Sequence, residues 1–416
     1  MRIVDLFSGA GGLTFGFYYK LENGQFQRTN NEFIFANEVN AHAVAAFNQN
    51  FQDVNMIAGD IRQVLSDDEI EKLVGENQVD LIIGGPPCQS FSTVGQRHYD
   101  EKAKLFWEYL RLIKKIRPKM FLFENVKGLL SMREIFYKLD EEGKIQTIEK
   151  TIGHQEGRKR IINVPVIDHY GDKIIDIIKK EFGTINENLG YKIEAKVVNA
   201  VNFGVPQNRE RVVILGIRND LNLKSPNFEG IKGLKISIKE AISDLPVVNE
   251  GEHKKEYEIE PQNDYQRLMR GTNDELRDHW CGTYGDKIRT VIQNVKQGQG
   301  RDDFNALVDE CKIDRCYYLT SGYKNTYGRL EEDKPSTTIT NNLSTPSGLR
   351  CIHYSQDRAL TSREGARIQS FPDWFHFEGS RTEVNTQIGN AVPPLMALAI
   401  ARQIEKVLGE HDNERQ

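Results

Sequence analysis

Short, nearly continuous apolar runs alternate with longer segments of helical periodicity through the first half of the chain. The runs Ile3–Phe7, Phe33–Ala36, Val79–Ile83, Met120–Phe123 and Val212–Ile217 have the pattern of strands buried on both faces of a parallel sheet. Between them Ala41–Asn50, Asp67–Glu76 and Lys102–Arg117 read as helices, the last stopped by Pro118. This alternation predicts an α/β, doubly wound domain. Two stretches break it. Residues 132–170 carry clusters of charge and read as an excursion from the α/β lobe, and residues 220–355, rich in Gly, Asn, Asp and Tyr, read as a separate irregular lobe. Pro393 and Pro394 start a last helix whose Leu395, Leu398, Ile400 and Ile404 dock it back on the large domain. The expected division is residues 1–222 for the first part of the large domain, 223–383 for a smaller domain, and 384–416 for a segment completing the large one.

Composition narrows the classes. The 416 residues include 55 Lys and Arg against 60 Asp and Glu, a formal charge of −5, so any nucleic-acid surface is a local patch. Five cysteines without a CxxC pair oppose a disulfide framework and a zinc ribbon, and favour reduced thiols in the cytoplasm without a metal. The N-terminus is too short in apolar length for a signal peptide, and no apolar run approaches a membrane span.

Candidate chemistry sits at strand ends. Asp5-Leu-Phe-Ser-Gly-Ala-Gly-Gly-Leu13 is a glycine turn directly after the first strand, the setting in which a cofactor approaches backbone and a helix N-terminus. The dinucleotide pattern fails, because Thr14 stands where a third glycine belongs. On its own the segment also admits the weaker reading of a tight turn without a ligand. Glu38 follows the second strand, placed to accept from ribose hydroxyls, and Asp60, followed by Ile61, to receive an exocyclic amine. Either carboxylate alone reads as a helix cap. Together with the glycine turn they suit an adenosine without phosphates better than NAD, which leaves an NAD oxidoreductase as the weaker alternative. Gly84-Gly-Pro-Pro-Cys-Gln-Ser-Phe-Ser92 then places Cys88 on a Gly/Pro/Ser loop at the same edge, the position of a nucleophile rather than of a buried apolar thiol.

In this company the sequence resembles the DNA (cytosine-5)-methyltransferase family. Asp5–Phe17 is similar to the family's cofactor motif, Gly84–Ser92 to its Pro-Cys loop, Glu124-Asn125-Val126 to its Glu-Asn-Val motif, and Gln207–Arg211 to its Gln-x-Arg-x-Arg motif. Arg358–Pro372 resembles the late motif framing the recognition lobe, and Gln387–Pro393 the closing motif that returns to the cofactor pocket. Residues 132–170 are longer than the family pattern, and 220–335 fall where the family itself varies.

The resemblance implies a Rossmann-like domain that binds S-adenosylmethionine, with residues 223–383 as target-recognition domain. It implies a specific cytosine in duplex DNA, methylated at carbon 5 through a covalent Cys88 adduct after base flipping. Phe7, Gly9, Ala10, Gly11, Gly12, Leu13, Glu38, Asp60, Ile61, Pro86 and Asn390 would border the cofactor. Glu124 would be the acid at cytosine N3, which requires a desolvated carboxyl with a raised pKa. Of the two arginines, Arg211 is favoured for the cytosine O2 side and Arg209 for phosphate or loop contact. No side chain stands out as the base that removes the carbon-5 proton, which points to a water chain. Gln89 and Ser92 would touch DNA, and a loop over residues 90–98 could close on the flipped base. In the lobe, Cys311–Arg329 interleaves Lys312, Arg315, Lys324 and Arg329 with four tyrosines, a mixture suited to phosphates and groove edges. Arg315, Lys324 and Arg329 are the DNA candidates there. A monomeric bacterial modification enzyme is implied, paired with a cognate restriction endonuclease. The alternatives are an RNA methyltransferase of the same mechanism and a catalytically inactive DNA-binding homologue.

Overall fold

The computed structural model describes all residues except 77, 88–91, 95–97, 100, 156–157, 184–189, 229, 231–234 and 415–416, with backbone alone at 92–94, 98–99, 101–104, 152–155, 158–160 and 410–414. Seven strands form the central sheet: β1 (Arg2–Leu6), β2 (Glu32–Glu38), β3 (Met56–Ala58), β4 (Leu81–Gly84), β5 (Met120–Val126), β6 (Tyr191–Asn199) and β7 (Glu210–Arg218). Their spatial order is β3-β2-β1-β4-β5-β7-β6. The first five pair in parallel, whereas β7 runs antiparallel to both β5 and β6. The apolar runs are strands because both faces are covered. Ile3, Leu81, Ile83 and Leu122 pack into one core, and their alternates Val4, Leu6, Ile82, Phe121 and Phe123 into a second on the opposite face.

Helices α1 (Gly12–Tyr18), α2 (Ala41–Asn50), α3 (Ile61–Val64), α4 (Asp67–Val74), α5 (Glu101–Ile116) and α6 (Ile174–Gly183) flank the sheet. The expected helices appear within one or two residues of their predicted limits. Among the elements not foreseen are β6, whose Lys192, Glu194 and Lys196 give it the polar composition of an edge strand, and α6, which buries Ile174, Ile175, Ile178 and Phe182. The last helix, Pro394–Glu414, lies against α1 so closely that a Cβ on Gly16 would come within 2.2 Å of the Ala397 backbone.

The excursion is a β structure. Arg133–Tyr137 pairs antiparallel with Ile167–Lys173 and parallel with Ser92–Val94, and Thr147–Gln155 and Arg158–Pro165 form a hairpin beyond it.

The second half of the chain divides by its packing. Val291, Val295, Phe304, Val308 and Leu319 make a small core of their own. By contrast Ile238, Ile242, Met269, Leu343, Phe371 and Phe375 join the main core. The Arg358–Pro372 motif is largely buried charge. Arg358 holds Glu364 at 2.8 and 2.6 Å, and Arg367 bridges Asp244 and Asp373. Thr361 and Glu364 form a capping box on the helix Ser362–Ile368. Removing one partner from such a pair would strand a buried charge, so this motif pins Asp244 to the Arg358–Asp373 segment.

Candidate active site

The carboxyl ends of β1, β2, β4 and β5, the start of β7 and the segment before the last helix enclose one cavity of about 640 Å³, a size suited to a cofactor. Phe7, Gly9, Ala10, Gly12, Leu13, Glu38, Asp60, Ile61, Pro86, Glu124, Arg209, Arg211 and Asn390 all line it. Gly11 sits beneath: its φ is +96°, it caps α1, and a Cβ there would strike the Phe51 ring at 2.2 Å. Gly9, at φ +57°, has open space where a Cβ would stand.

Glu38 holds the turn together. One carboxylate oxygen accepts from the Gly9 amide at 2.9 Å and the other from the amides of Val39 and Asn40 at 2.9 and 2.8 Å. Asp60 is the N-cap of α3 and pairs with Arg62 at 2.6 Å, a side-chain bond that lowers its pKa. Both carboxylates therefore have protein partners while facing the cavity.

Glu124 at the end of β5 and Arg211 at the start of β7 meet at 3.1 Å, each side chain about 12% exposed. Burial raises the Glu124 pKa, and the guanidiniums of Arg211 and Arg209 oppose that rise. Burial lowers the Arg211 pKa, opposed by Glu124. Gly85 lets the Pro86 turn pass close by, since a Cβ there would lie 3.3 Å from Glu124 Oε2.

Of the phosphate or loop contact expected of Arg209, its bonds among the described residues are of the second kind, to backbone. Its guanidinium donates to the carbonyls of Ile339 (3.0 Å), Gly389 (2.8 Å) and Ala391 (3.0 Å). With 2% of its surface exposed it is out of reach of a phosphate. Burial lowers its pKa to about 9, so it remains charged at neutral pH. Its neighbour Gln207 donates to Gln369 and accepts from the Ile339 amide, extending the same seam.

Two residues of the site were missed by sequence reasoning. Asn125 donates to the Pro86 carbonyl at 2.9 Å and so fixes the turn before Cys88. Asp5 is fully buried at the cavity wall. Its Oδ2 accepts from Thr14, while Oδ1 has no partner among the described residues. Burial raises its pKa to about 8. The readable signal was a carboxylate inside an otherwise apolar strand.

Cys88 and Gln89, and the greater part of the expected closing loop, lie outside the described residues, as does the side chain of Ser92. Arg315 and Lys324 are exposed on the small lobe, away from the cavity lining. Arg329 corrects the expectation of a DNA contact. It is 6% exposed, and donates to the carbonyls of Ile292, Val295, His353 and Gln356 and to Asp357. Geometry spends every arm of that guanidinium inside the lobe. No three His, Cys, Asp or Glu able to hold a metal cluster among the described residues, and no helix there is long and apolar enough to cross a membrane.

A parallel sheet with one antiparallel strand slotted between its fifth and sixth, opening on a glycine turn and a buried Glu–Arg pair, defines a Rossmann-like methyltransferase. The family model of the C-5 cytosine-specific DNA methylases matches residues 1–146 and 163–406, and the chain belongs to that family. It is an enzyme that methylates carbon 5 of cytosine in DNA, which removes the oxidoreductase alternative. Among curated relatives, the type II methyltransferase M.DdeI of Desulfomicrobium norvegicum is 32% identical over 97% of this chain and 88% of its own. M1.HphI of Haemophilus parahaemolyticus is 30% identical over 98% and 87%. A prophage-encoded DNA modification methyltransferase of E. coli shares the fold, with a TM-score of 0.69 at 22% identity over 98% of this chain and 99% of that one.

Proposed function

We propose that the chain transfers the methyl group of S-adenosylmethionine to one cytosine within a specific duplex sequence, with Cys88 as nucleophile and Glu124 as proton donor. The observation that carries this reading is the Glu124–Arg211 pair, which opens into the same cavity as the glycine turn. The residues present fit the cofactor: an open cradle at Gly9, two strand-end carboxylates, and Asp5 Oδ1 at the wall, without a partner among the described residues. S-adenosylmethionine supplies an electrophilic methyl group on a sulfonium. Phe7, Ala10, Gly12, Leu13, Ile61, Pro86 and Asn390 would border it, with Glu38 toward ribose and Asp60 toward the adenine amine.

Carbon 5 of cytosine is a weak nucleophile, so the ring needs activation. The thiolate of Cys88 adds to carbon 6 as Glu124 gives its proton to N3, and Arg211 steadies the O2 side. Carbon 5, made electron-rich, would take the methyl group as the sulfonium leaves as a neutral thioether. Water then takes the carbon-5 proton, the bond between carbon 6 and the Cys88 sulfur breaks to restore the thiolate, and N3 returns its proton to the Glu124 carboxylate. The raised Glu124 pKa suits it to hold that proton. The target carbon lies inside a stacked duplex, so the base must be extruded, with Gln89 and Ser92 beside it. Residues 223–383 read the sequence. Relatives named as type II methyltransferases support a modification enzyme, which we take to be a monomer of the bacterial cytoplasm acting on the same site as a cognate restriction endonuclease.

The test is expression in a host without DNA methylation, followed by mapping 5-methylcytosine. One recurrent sequence context is expected, and none with Cys88→Ser. Methylation of transfer RNA with unmodified DNA would overturn the reading.

A further inference from the structure

The stretch Cys311–Arg329 mixes cations and tyrosines, and the structure sorts them. Tyr317, Tyr318 and Tyr327 pack against the small core of Val291, Phe304 and Leu319. Arg329 is spent on backbone carbonyls, Arg315 pairs with Asp309 and lies over Tyr318, and Lys312 pairs with Glu310. Tyr323 and Lys324 remain. Tyr323 is 77% exposed, the most exposed large apolar side chain among the described residues. Lys324 is exposed and forms no ion pair among them.

The loop beneath them is held firmly. The Tyr323 carbonyl accepts from the Thr326 amide at 3.0 Å and the Thr326 hydroxyl at 2.8 Å. Arg301 donates to the Gly322 carbonyl, and its amide donates to Thr326 at 2.9 Å, which ties the loop to the helix Arg301–Asp309. Gly322 has φ +105°, and a Cβ there would stand 2.5 Å from Thr326 Oγ1. An aromatic ring placed in water on a pinned backbone buries little surface within the fold, and a partner that covers it need not order that backbone first.

We propose that Tyr323 is a specificity-determining residue whose ring contacts one base pair of the target site, while Lys324 neutralises a neighbouring phosphate. The inference rests on the lobe being the reader of DNA. A ring beside a lone cation matches a base edge or thymine methyl next to backbone charge.

The experiment compares Tyr323→Ala, Tyr323→Phe and Lys324→Ala in the full-length enzyme, mapping 5-methylcytosine genome-wide in a methylation-free host. Duplex affinity and its salt dependence are measured alongside. Tyr323→Ala should lose about tenfold to hundredfold discrimination at a single base position, with cofactor affinity unchanged, and Tyr323→Phe should retain it. Lys324→Ala should keep the site, weaken all duplexes alike, and reduce the salt slope by about one. Full discrimination in Tyr323→Ala overturns the inference, as does a Phe variant as relaxed as the Ala variant. Exchanging residues 223–355 for a relative's lobe separates the two claims. A redirected site with an inert Tyr323 leaves the lobe as reader, and an unmoved site sinks both.

Discussion

Replacing Arg209 by Met keeps most of the side-chain volume and removes the guanidinium. Three buried carbonyls, of Ile339, Gly389 and Ala391, then lose their donor. A hydrogen bond to a charged group contributes about 1.5–3 kcal/mol, and a carbonyl reached by water recovers part of the loss. The expected cost is about 3–5 kcal/mol, a large share of the roughly 5–15 kcal/mol that holds a domain folded. Arg209→Lys, whose ammonium reaches one carbonyl or two, should lose roughly half as much. Urea unfolding measures this as a lower midpoint at constant slope. Gly389 and Ala391 also line the cavity, so calorimetry should show weaker cofactor binding in the Met variant. A Met variant with wild-type stability, weaker DNA binding and a salt slope reduced by about one would refute the reasoning and return the guanidinium to a phosphate.

Cys88→Ser should abolish methyl transfer and leave S-adenosylmethionine affinity nearly intact; turnover within about tenfold of wild type would remove the thiol from the nucleophile role. Glu124→Gln should lower kcat by about 10²–10⁴. Because the Glu124 pKa is raised and its acid form is the working one, wild-type kcat should fall as pH rises through that pKa, and the Gln variant should lack that limb. Asp5 has a folded pKa of about 8, well above its unfolded value, so the folded state binds the extra proton. Stability should therefore fall as pH rises from about 4 to 8, and Asp5→Asn should flatten that slope; an unchanged slope in urea midpoints would place the proton elsewhere. Glu38→Ala and Asp60→Ala should each weaken cofactor binding by about 1–3 kcal/mol without changing DNA affinity in its absence. Unchanged cofactor affinity in both would locate the adenosine elsewhere.

Periodicity is a local property, and what depended on it was legible. Val79–Ile83 and Met120–Phe123 read as strands buried on both faces, because apolar runs this short beside Gly84 and Pro118 are too brief for helices. The order of the glycine turn, Glu38, Asp60 and Glu124 followed, since each stands where a strand ends and open α/β sheets bind ligands there. Edge strand β6 escaped notice because three of its nine residues are charged and only Tyr191 and Val198 are buried. The division of labour between similar residues was invisible for a different reason. Arg209 and Arg211 are two positions apart, yet one meets Glu124 while the other meets carbonyls 130 to 182 residues away. Arg329 and Lys324 belong to one basic stretch, but the first is consumed by backbone from Ile292 to Gln356 and the second stands in water. A side chain's chemistry is set by its own atoms, whereas its availability is set by which distant carbonyls and carboxylates the fold brings within 3 Å of it, and only the folded chain decides that.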